Sequence, residues 1–496
     1  MPAASTPRAR QPELAPQARP AQSVRPAQSV RPAQAVRPAQ PVRPGRADRC
    51  PGALVLHEAA DGGLARIRLP GGFVDGEVLL ALAVLAGSFG EHGAVELTSR
   101  GNVQLRGVPA GRRAELAERV AGLGLLPSAT HERVRNIVAA PFAGLTGQDP
   151  GLEDPRPEGP RPEDPRLQEL VRTLDQALCA DPELAGLSGR FLFGLDDASG
   201  DIAALAPDAW AAPTARGRWW VGPAGVEVER AAVVPELLGA ARAFLRTAAD
   251  VVGDGHPVWR VRDLPDGGRE LAAALRAGRP QAPRPTPGPA PARTVRPGGT
   301  SPGGAWPVGA SPAGALPGRS WPGGAWHGGV WRRPDGLHAA AVHVPLGQLT
   351  RPQADVLAAE AAATGEALRV TPWRSVVLPR LSGVGPDRFT GAAGRVGLVT
   401  DPGSPWTRVT TCAGRPGCAS ALADVRSDAA RAVDAGRLIP LGAAAPPGLP
   451  TAAGPRAHWS GCARRCGQPA SRHLAVVAGP AGYLVHDTGT EPKECP

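Results

Sequence analysis

The sequence predicts an α+β protein built around an internal duplication and interrupted by stretches that cannot pack. Three observations point there: a strand–helix–strand pattern that occurs twice, proline and glycine concentrated in a few segments, and four paired cysteines late in the chain. With 496 residues there is room for two or three domains, and 64 Gly and 58 Pro far exceed ordinary usage.

Residues 1–49 contain the repeat "SVRPAQSVRPAQAVRPAQPVRP", which has almost nothing to bury and is expected to be a disordered Arg/Pro-rich tail. Residues 50–111 hold the first copy of the duplicated unit: "DGGLARIRLPGG" (61–72), an apolar helical run at 78–85, and "AVELTSRGNVQLRGVP" (94–109), which alternates as one strand should. Residues 112–278 read as an α/β domain carrying a disordered insertion at 148–166. Residues 279–333 form a Gly/Pro/Trp-rich linker, because proline donates no amide proton and glycine loses too much freedom in regular structure. Its Trp306, Trp321, Trp326 and Trp331 follow no helical period and read as part of a spacer. Residues 334–382 repeat the unit as "DGLHAAAVHVPLG" (335–347), a helical run at 354–363 and "ALRVTPWRSVVLP" (367–379); Pro70 matches Pro345, and Thr98 matches Thr371. Residues 383–496 carry the paired cysteines.

Charge narrows the class. The formal balance is +10, yet residues 1–49 hold nine Arg against Glu13 and Asp48, and residues 279–333 hold seven Arg and no acid. The remainder is therefore slightly acidic, which speaks against a folded nucleic-acid reader. No apolar run reaches 18 residues, so no membrane span is expected, and no apolar stretch follows the charged start as a secretory signal requires. A cytoplasmic location is the expectation.

Seven cysteines are too few for a disulfide framework. "CAGRPGC" runs from Cys412 to Cys418 and "CARRC" from Cys462 to Cys466. Zinc ligands usually lie closer in sequence than Cys412 and Cys418, whereas an iron–sulfur cube accepts wider spacing. Gly414, Gly417, Gly461 and Gly467 would let backbone amides approach the sulfurs. A [4Fe–4S] cluster on Cys412, Cys418, Cys462 and Cys466 is the expectation; zinc and chance spacing stay open. Cys179 reads as a buried small hydrophobe, and Cys50 and Cys495 have no close partner in sequence. If 94–109 is one strand, Arg100, Asn102, Gln104 and Arg106 share a face, either as a binding surface or as a solvated edge.

Taken together, the duplicated unit, "TSRGNVQ", "RNIVAAPFAG" (135–144) and the C-x5-C and C-x3-C pairs resemble the nitrite and sulfite reductase superfamily over roughly 50–145, 187–200 and 334–486. The resemblance implies duplicated ferredoxin-like half-domains plus two α/β domains around a tetrapyrrole and a [4Fe–4S] cluster. It implies that Arg100, Asn102, Gln104, Arg135 and Asn136 contact the macrocycle, with Arg374 as a pseudo-symmetric counterpart of the basic site. Arginine suits a carboxylate-rich ring through its bidentate fork.

Within the superfamily, "RCPGALVLHEAADGGLARIRLPGG" (49–72), "VTPWRS" (370–375) and "TCAGRPGCASALADVRSDA" (411–429) are similar to the precorrin-3B synthase branch. That similarity implies dioxygen-dependent hydroxylation of precorrin-3A at C20 with lactone formation, in aerobic cobalamin biosynthesis, and allows for a mononuclear non-haem iron. Sirohaem reductases place two basic residues one apart; "LSGRFLFGLDD" (187–197) has Arg190 in the first position and Leu192 in the second. The missing cation favours a tetrapyrrole that is substrate rather than prosthetic group. Arg190 and His458 are candidates for direct roles in catalysis, His458 reading also as a brace for the cysteine loop; Asp196 and Asp197 read as turn acids. No Gly-rich dinucleotide fingerprint occurs, so a separate electron donor is expected. A sirohaem-dependent nitrite or sulfite reductase and a non-catalytic iron–sulfur protein are the alternatives.

Overall fold

The structure, a computed structural model, describes residues 48, 50–89, 93–145, 165–214, 217–251, 257–278, 328–333, 335–383, 385–441, 456–469 and 471–489. The expected tail apart from Asp48, most of the insertion, nearly all of the linker, and Cys495 lie outside the described residues.

In chain order, β1 (His57–Ala59) and β2 (Gly62–Ile67) form a hairpin. A tight turn from Pro70 leads into β3 (Phe73–Val74), α1 (Gly76–Phe89), β4 (Ala94–Leu97), β5 (Val103–Val108) and α2 (Arg113–Gly122). Next come β6 (Ile137–Ala139), α3 (Pro165–Ala180), β7 (Phe193–Leu195), β8 (Ala209–Pro213), β9 (Trp219–Gly222), β10 (Val226–Val228), α4 (Val233–Val251) and α5 (Arg269–Ala277). The second copy has β11 (Gly329–Arg332), β12 (His338–His343), β13 (Gln348–Thr350), α6 (Arg351–Thr364), β14 (Leu368–Val370) and β15 (Ser375–Leu378). The chain continues with α7 (Pro386–Arg395), β16 (Val409–Thr411), α8 (Val425–Asp434), β17 (Ala457–Ser460), β18 (Leu474–Gly479) and β19 (Gly482–Asp487).

The two copies exchange a strand. One sheet runs β1-β2-β5-β4-β13 and the other β11-β12-β15-β14-β3, so each copy's short strand completes the other's sheet. The sequence explains the swap: Pro70 and Pro345 open equivalent turns whose next residues, Gly71 (φ 66°) and Leu346 (φ 54°), are left-handed and send the chain across. Helix α1 packs on α6 so closely that a Cβ on Gly76 would meet Ala361 Cβ at 2.8 Å. One core of buried Leu, Val and Ala serves both copies, among them Leu79, Leu82, Leu105, Val342 and Leu357. Phe389 and Ala393 of α7 join that core, which attaches the start of 383–496 to the duplicated unit.

Two expectations are corrected. Residues 94–109 are a hairpin, not one strand: Thr98 Oγ1 accepts the amides of Arg100 and Asn102 at 3.4 and 3.1 Å, and Gly101 at φ 64° turns the chain. Thr371 does the same for Trp373 and Ser375 between β14 and β15. The threonine hydroxyl offers the backbone a partner that ends the ladder. Residues 328–333, placed in the linker, include edge strand β11, and Trp331 packs against Phe142 and donates to the Leu145 carbonyl at 2.9 Å.

Two further sheets complete the fold. In one, β6, β7 and β8 run parallel and β9 and β10 antiparallel, packed with α3 and α4 around Phe191, Phe193 and Phe244. In the other, β16, β17 and β18 run parallel, with β19 antiparallel and α8 packed against them. No described helix is long and apolar enough to cross a membrane.

Candidate functional site

β16 and β17 are parallel neighbours, which brings the two cysteine segments to adjacent strand ends. Cys412 directly follows β16 and Cys462 lies two residues past β17, at the carboxyl ends where open α/β sheets form their sites. The Cys412 amide donates to the Trp459 carbonyl at 2.9 Å, and the Gly461 amide donates to Cys412 Sγ at 3.2 Å. Two glycines let the loops close. A Cβ on Gly461 would sit 2.6 Å from Ala421 Cβ, and Gly414, at φ 65°, lies against Val425. Burial, followed by the charges of Cys412, Cys462 and Cys418, pushes the Cys466 thiol up. All four are unpaired in disulfides, and Cys466 is exposed.

Among the described residues no three His, Cys, Asp or Glu side chains are grouped so as to hold a metal ion. Four thiols at two adjacent strand ends, with an amide directed at one sulfur, fit the donor set of a wider iron–sulfur cube.

His458 lies on β17, buried, with Nδ1 2.9 Å from Thr410 Oγ1 and Nε2 3.1 Å from the Cys466 carbonyl. Burial, with Arg374 nearby, lowers its pKa to about 4, so the ring is neutral and ties the cysteine loop to the sheet.

The four residues expected to share one face are divided: Gln104 and Arg106 lie on β5, Arg100 and Asn102 in the turn before it. Gln104 of β5 accepts from Arg66 of β2 at 3.2 Å and donates to Glu96 of β4, which also pairs with Arg426 of α8. A hydrogen-bonded chain thus runs from the cysteine domain to the first copy's sheet. Arg106 turns toward the cysteines, pairing with Asp61 at 2.9 Å and donating to the Gly417 carbonyl. Arg100 and Asn102 sit in the hairpin turn. Arg100 donates to the Gly189 carbonyl at 3.2 Å; Asn102 is fully buried, accepting from the Leu69 amide at 2.9 Å and donating to Asn136. Asn136 donates in turn to the Gly189 carbonyl. These residues lock the turn, β6 and the loop before β7 together.

Arg135 is committed elsewhere: its guanidinium forms a two-pronged pair with Asp175 at 2.7 and 2.6 Å and donates to the Leu125 carbonyl. Arg374 corresponds by position to Gly101, not Arg100, and both are left-handed, at φ 60° and 64°. Its side chain crosses Gly347 and makes no hydrogen bond among the described residues, with Glu96 and Arg426 in electrostatic reach. Arg190 is exposed and lies 4.0 Å over the Trp259 ring. Leu192 is buried in the aromatic core, its amide donating to Asp208 at 2.8 Å, so its side chain presents no polar group. Asp196 accepts the amides of Gly200, Ile202 and Ala203 at 2.9–3.0 Å and acts as a turn acid.

Sequence reasoning missed Arg66 and Arg68. Alternation in "ARIRL" was their available signal, since residues two apart on a strand share a side. Arg68 is 2 % exposed, donates to the Arg133 and Pro51 carbonyls at 3.1 and 3.4 Å, and leaves Nη1 buried without a partner. Burial, reinforced by Arg66, lowers its pKa to about 9; burial and Arg260 lower that of Arg100 to about 10.

Residues 57–123 match the family described as the nitrite/sulfite reductase ferredoxin-like half domain. A ferredoxin–nitrite reductase of Synechococcus elongatus is 36% identical over 83 residues, which is 16% of this chain and 16% of that protein. The structure of the Mycobacterium tuberculosis NirA protein superposes with a TM-score of 0.58 at 17% identity, covering 85% of this chain and 73% of that one. The chain therefore carries a nitrite/sulfite reductase ferredoxin-like half-domain within an α+β fold like that of NirA.

Proposed function

We propose that this chain is a precorrin-3B synthase: an oxidoreductase that seats precorrin-3A against the first copy's arginines and hydroxylates it at C20 with dioxygen, closing a lactone. One oxygen atom enters the ring and the other leaves as water, with two electrons drawn from a separate donor. The single observation that carries this reading over its rival is Leu192. A site that polarises a small oxyanion needs concentrated positive charge, and here the second basic position is a leucine packed into a core.

A [4Fe–4S] cluster held by Cys412, Cys418, Cys462 and Cys466 would supply electrons one at a time. The chain's own residues do the rest. Arg100 and Gln104, with Asn102 and Asn136 fixing the turn and the loop beside them, orient the ring and its carboxylates. His458 holds the cysteine loop to the sheet, while Arg190 lies exposed over the Trp259 ring. The residues assign no position to a mononuclear iron.

The relatives named above favour the rival reading, a sirohaem-dependent nitrite or sulfite reductase, because one of them is a nitrite reductase by name. The two readings separate in one assay. Anaerobically purified protein is given precorrin-3A, a reductant and isotopically labelled dioxygen, or instead nitrite or sulfite with the same reductant. A product carrying one labelled oxygen atom supports the proposal. Reduction of nitrite or sulfite without ring hydroxylation overturns it.

A further inference from the structure

A buried ion pair of the first copy rests directly on the cysteine segment. Arg106 projects from β5 and meets Asp61, in the turn between β1 and β2, at 2.9 and 3.1 Å. Both side chains are 8 % exposed. Arg106 Nη2 also donates to the carbonyl of Gly417, the residue before Cys418. A side chain at Gly417 would push the pair away: its Cβ would meet Arg106 Nη2 at 2.9 Å and Asp61 Oδ2 at 3.1 Å. Carbonyl, guanidinium and carboxylate thus lie in mutual contact next to one of the four cysteines.

Such a pair is a poor way to gain stability. Two charges taken out of water recover in attraction little more than they lose in hydration, and apolar residues of the same volume would hold the interface as well. Its position answers better to electrostatics than to packing. Adding one electron to a cluster makes no bond and breaks none, but leaves the site one unit more negative. At low effective dielectric a fixed cation stabilises that reduced form and a fixed anion opposes it. Arg106 also draws on the Gly417 carbonyl, which leaves the N–H end of the Gly417–Cys418 peptide more positive. Asp61 holds the guanidinium in place and offsets part of its field.

We propose that Arg106 is a positioning residue that holds the Cys418 arm against the first copy and raises the cluster's reduction potential, with Asp61 setting how far. This rests on the cluster proposed above for the four cysteines, and it holds whichever substrate that cluster serves.

The test is the midpoint potential of the anaerobically purified full chain, from a dithionite titration followed by electron paramagnetic resonance, with iron content and circular dichroism measured on each sample. Arg106→Gln removes the cation and leaves Asp61 unopposed; its reduction equilibrium is expected to fall about tenfold, which is about 59 mV for a one-electron couple. Arg106→Lys keeps the charge and should restore most of that loss. Asp61→Asn leaves Arg106 uncompensated and should move the potential the other way. Opposite shifts are the signature, since loosening of the loop would move both variants alike. An unchanged potential in Arg106→Gln at full iron content, or shifts of one sign in Arg106→Gln and Asp61→Asn, overturns the proposal and leaves the cluster standing. Where Arg106→Gln fails to fold or binds no iron, Asp61→Asn decides: a raised potential supports the proposal, and an unchanged or lowered one overturns it. A wild type without a reducible iron–sulfur signal overturns the proposal and the cluster together.

Discussion

The two copies of the duplicated unit place the same backbone under different side chains. Arg66 pairs across the sheet with Gln104 in the first copy; at the equivalent positions Ala341 pairs with Val377 in the second. Arg68 answers to His343 and Asn102 to Ser375. In the second copy Ala341 and Val377 are fully buried under Phe142 and Leu145, with Trp331 and Trp373 packed alongside. Arg369 secures that cover by donating to the Pro141 and Ala143 carbonyls at 2.9 and 3.0 Å. The first copy keeps arginines and a glutamine on the matching side. Duplication supplied two equal platforms, of which one was covered and one kept polar.

That asymmetry can be broken deliberately. The cysteine loop lies outside both copies and sets the upper end of the scale: Cys462→Ser should remove essentially all bound iron, read by metal analysis, while far-ultraviolet circular dichroism stays native. Making the covered platform polar comes next. Val377→Gln would bury an amide without partners and should cost about 3 kcal/mol in urea unfolding. The reverse exchange, Gln104→Val, strips Arg66 and Glu96 of a partner at a half-buried site. It should cost only about 1 kcal/mol of stability yet weaken uroporphyrin binding about tenfold. Equal stability losses in Val377→Gln and Gln104→Val would erase the distinction between the platforms.

The smallest effect separates shape from chemistry. Thr98→Val and Thr371→Val each remove a hydroxyl that accepts two turn amides, and each should cost about 1 kcal/mol. Only Thr98→Val should also weaken porphyrin binding, because its turn carries Arg100. A matching loss in Thr371→Val would mean that the second turn also touches the ring.

The duplication was legible because its marks are local: Pro70 and Pro345 set turns, and Thr98 and Thr371 cap them. The hairpins were not. Val95 and Leu97 before "TSRGNVQ" and Val103 and Leu105 after its start fall on one parity, and only the left-handed Gly101 and the threonine cap reveal the bend. The strand exchange was equally hidden, since a two-residue β3 bears no periodic signal and its partner β14 lies far along the chain. At the site, the cysteine spacing was visible in the sequence, and the parallel pairing that brings its two segments to adjacent strand ends was not. The pairing of Arg135 with Asp175 was hidden, because that partner comes 40 residues later. Arg66 and Arg68 were passed over because a chain with a single lysine spends arginine everywhere.

The central claim is that four cysteines hold a [4Fe–4S] cluster while the tetrapyrrole is substrate rather than resident group. Absorption and electron paramagnetic resonance spectra of anaerobically purified protein, before and after dithionite, test it most directly. The expected result is a broad visible shoulder that bleaches on reduction, with a reduced-cluster resonance and no sharp haem bands. Intense sirohaem bands in the purified protein would contradict the claim and move the chain to nitrite or sulfite reduction; a colourless protein containing zinc would contradict both.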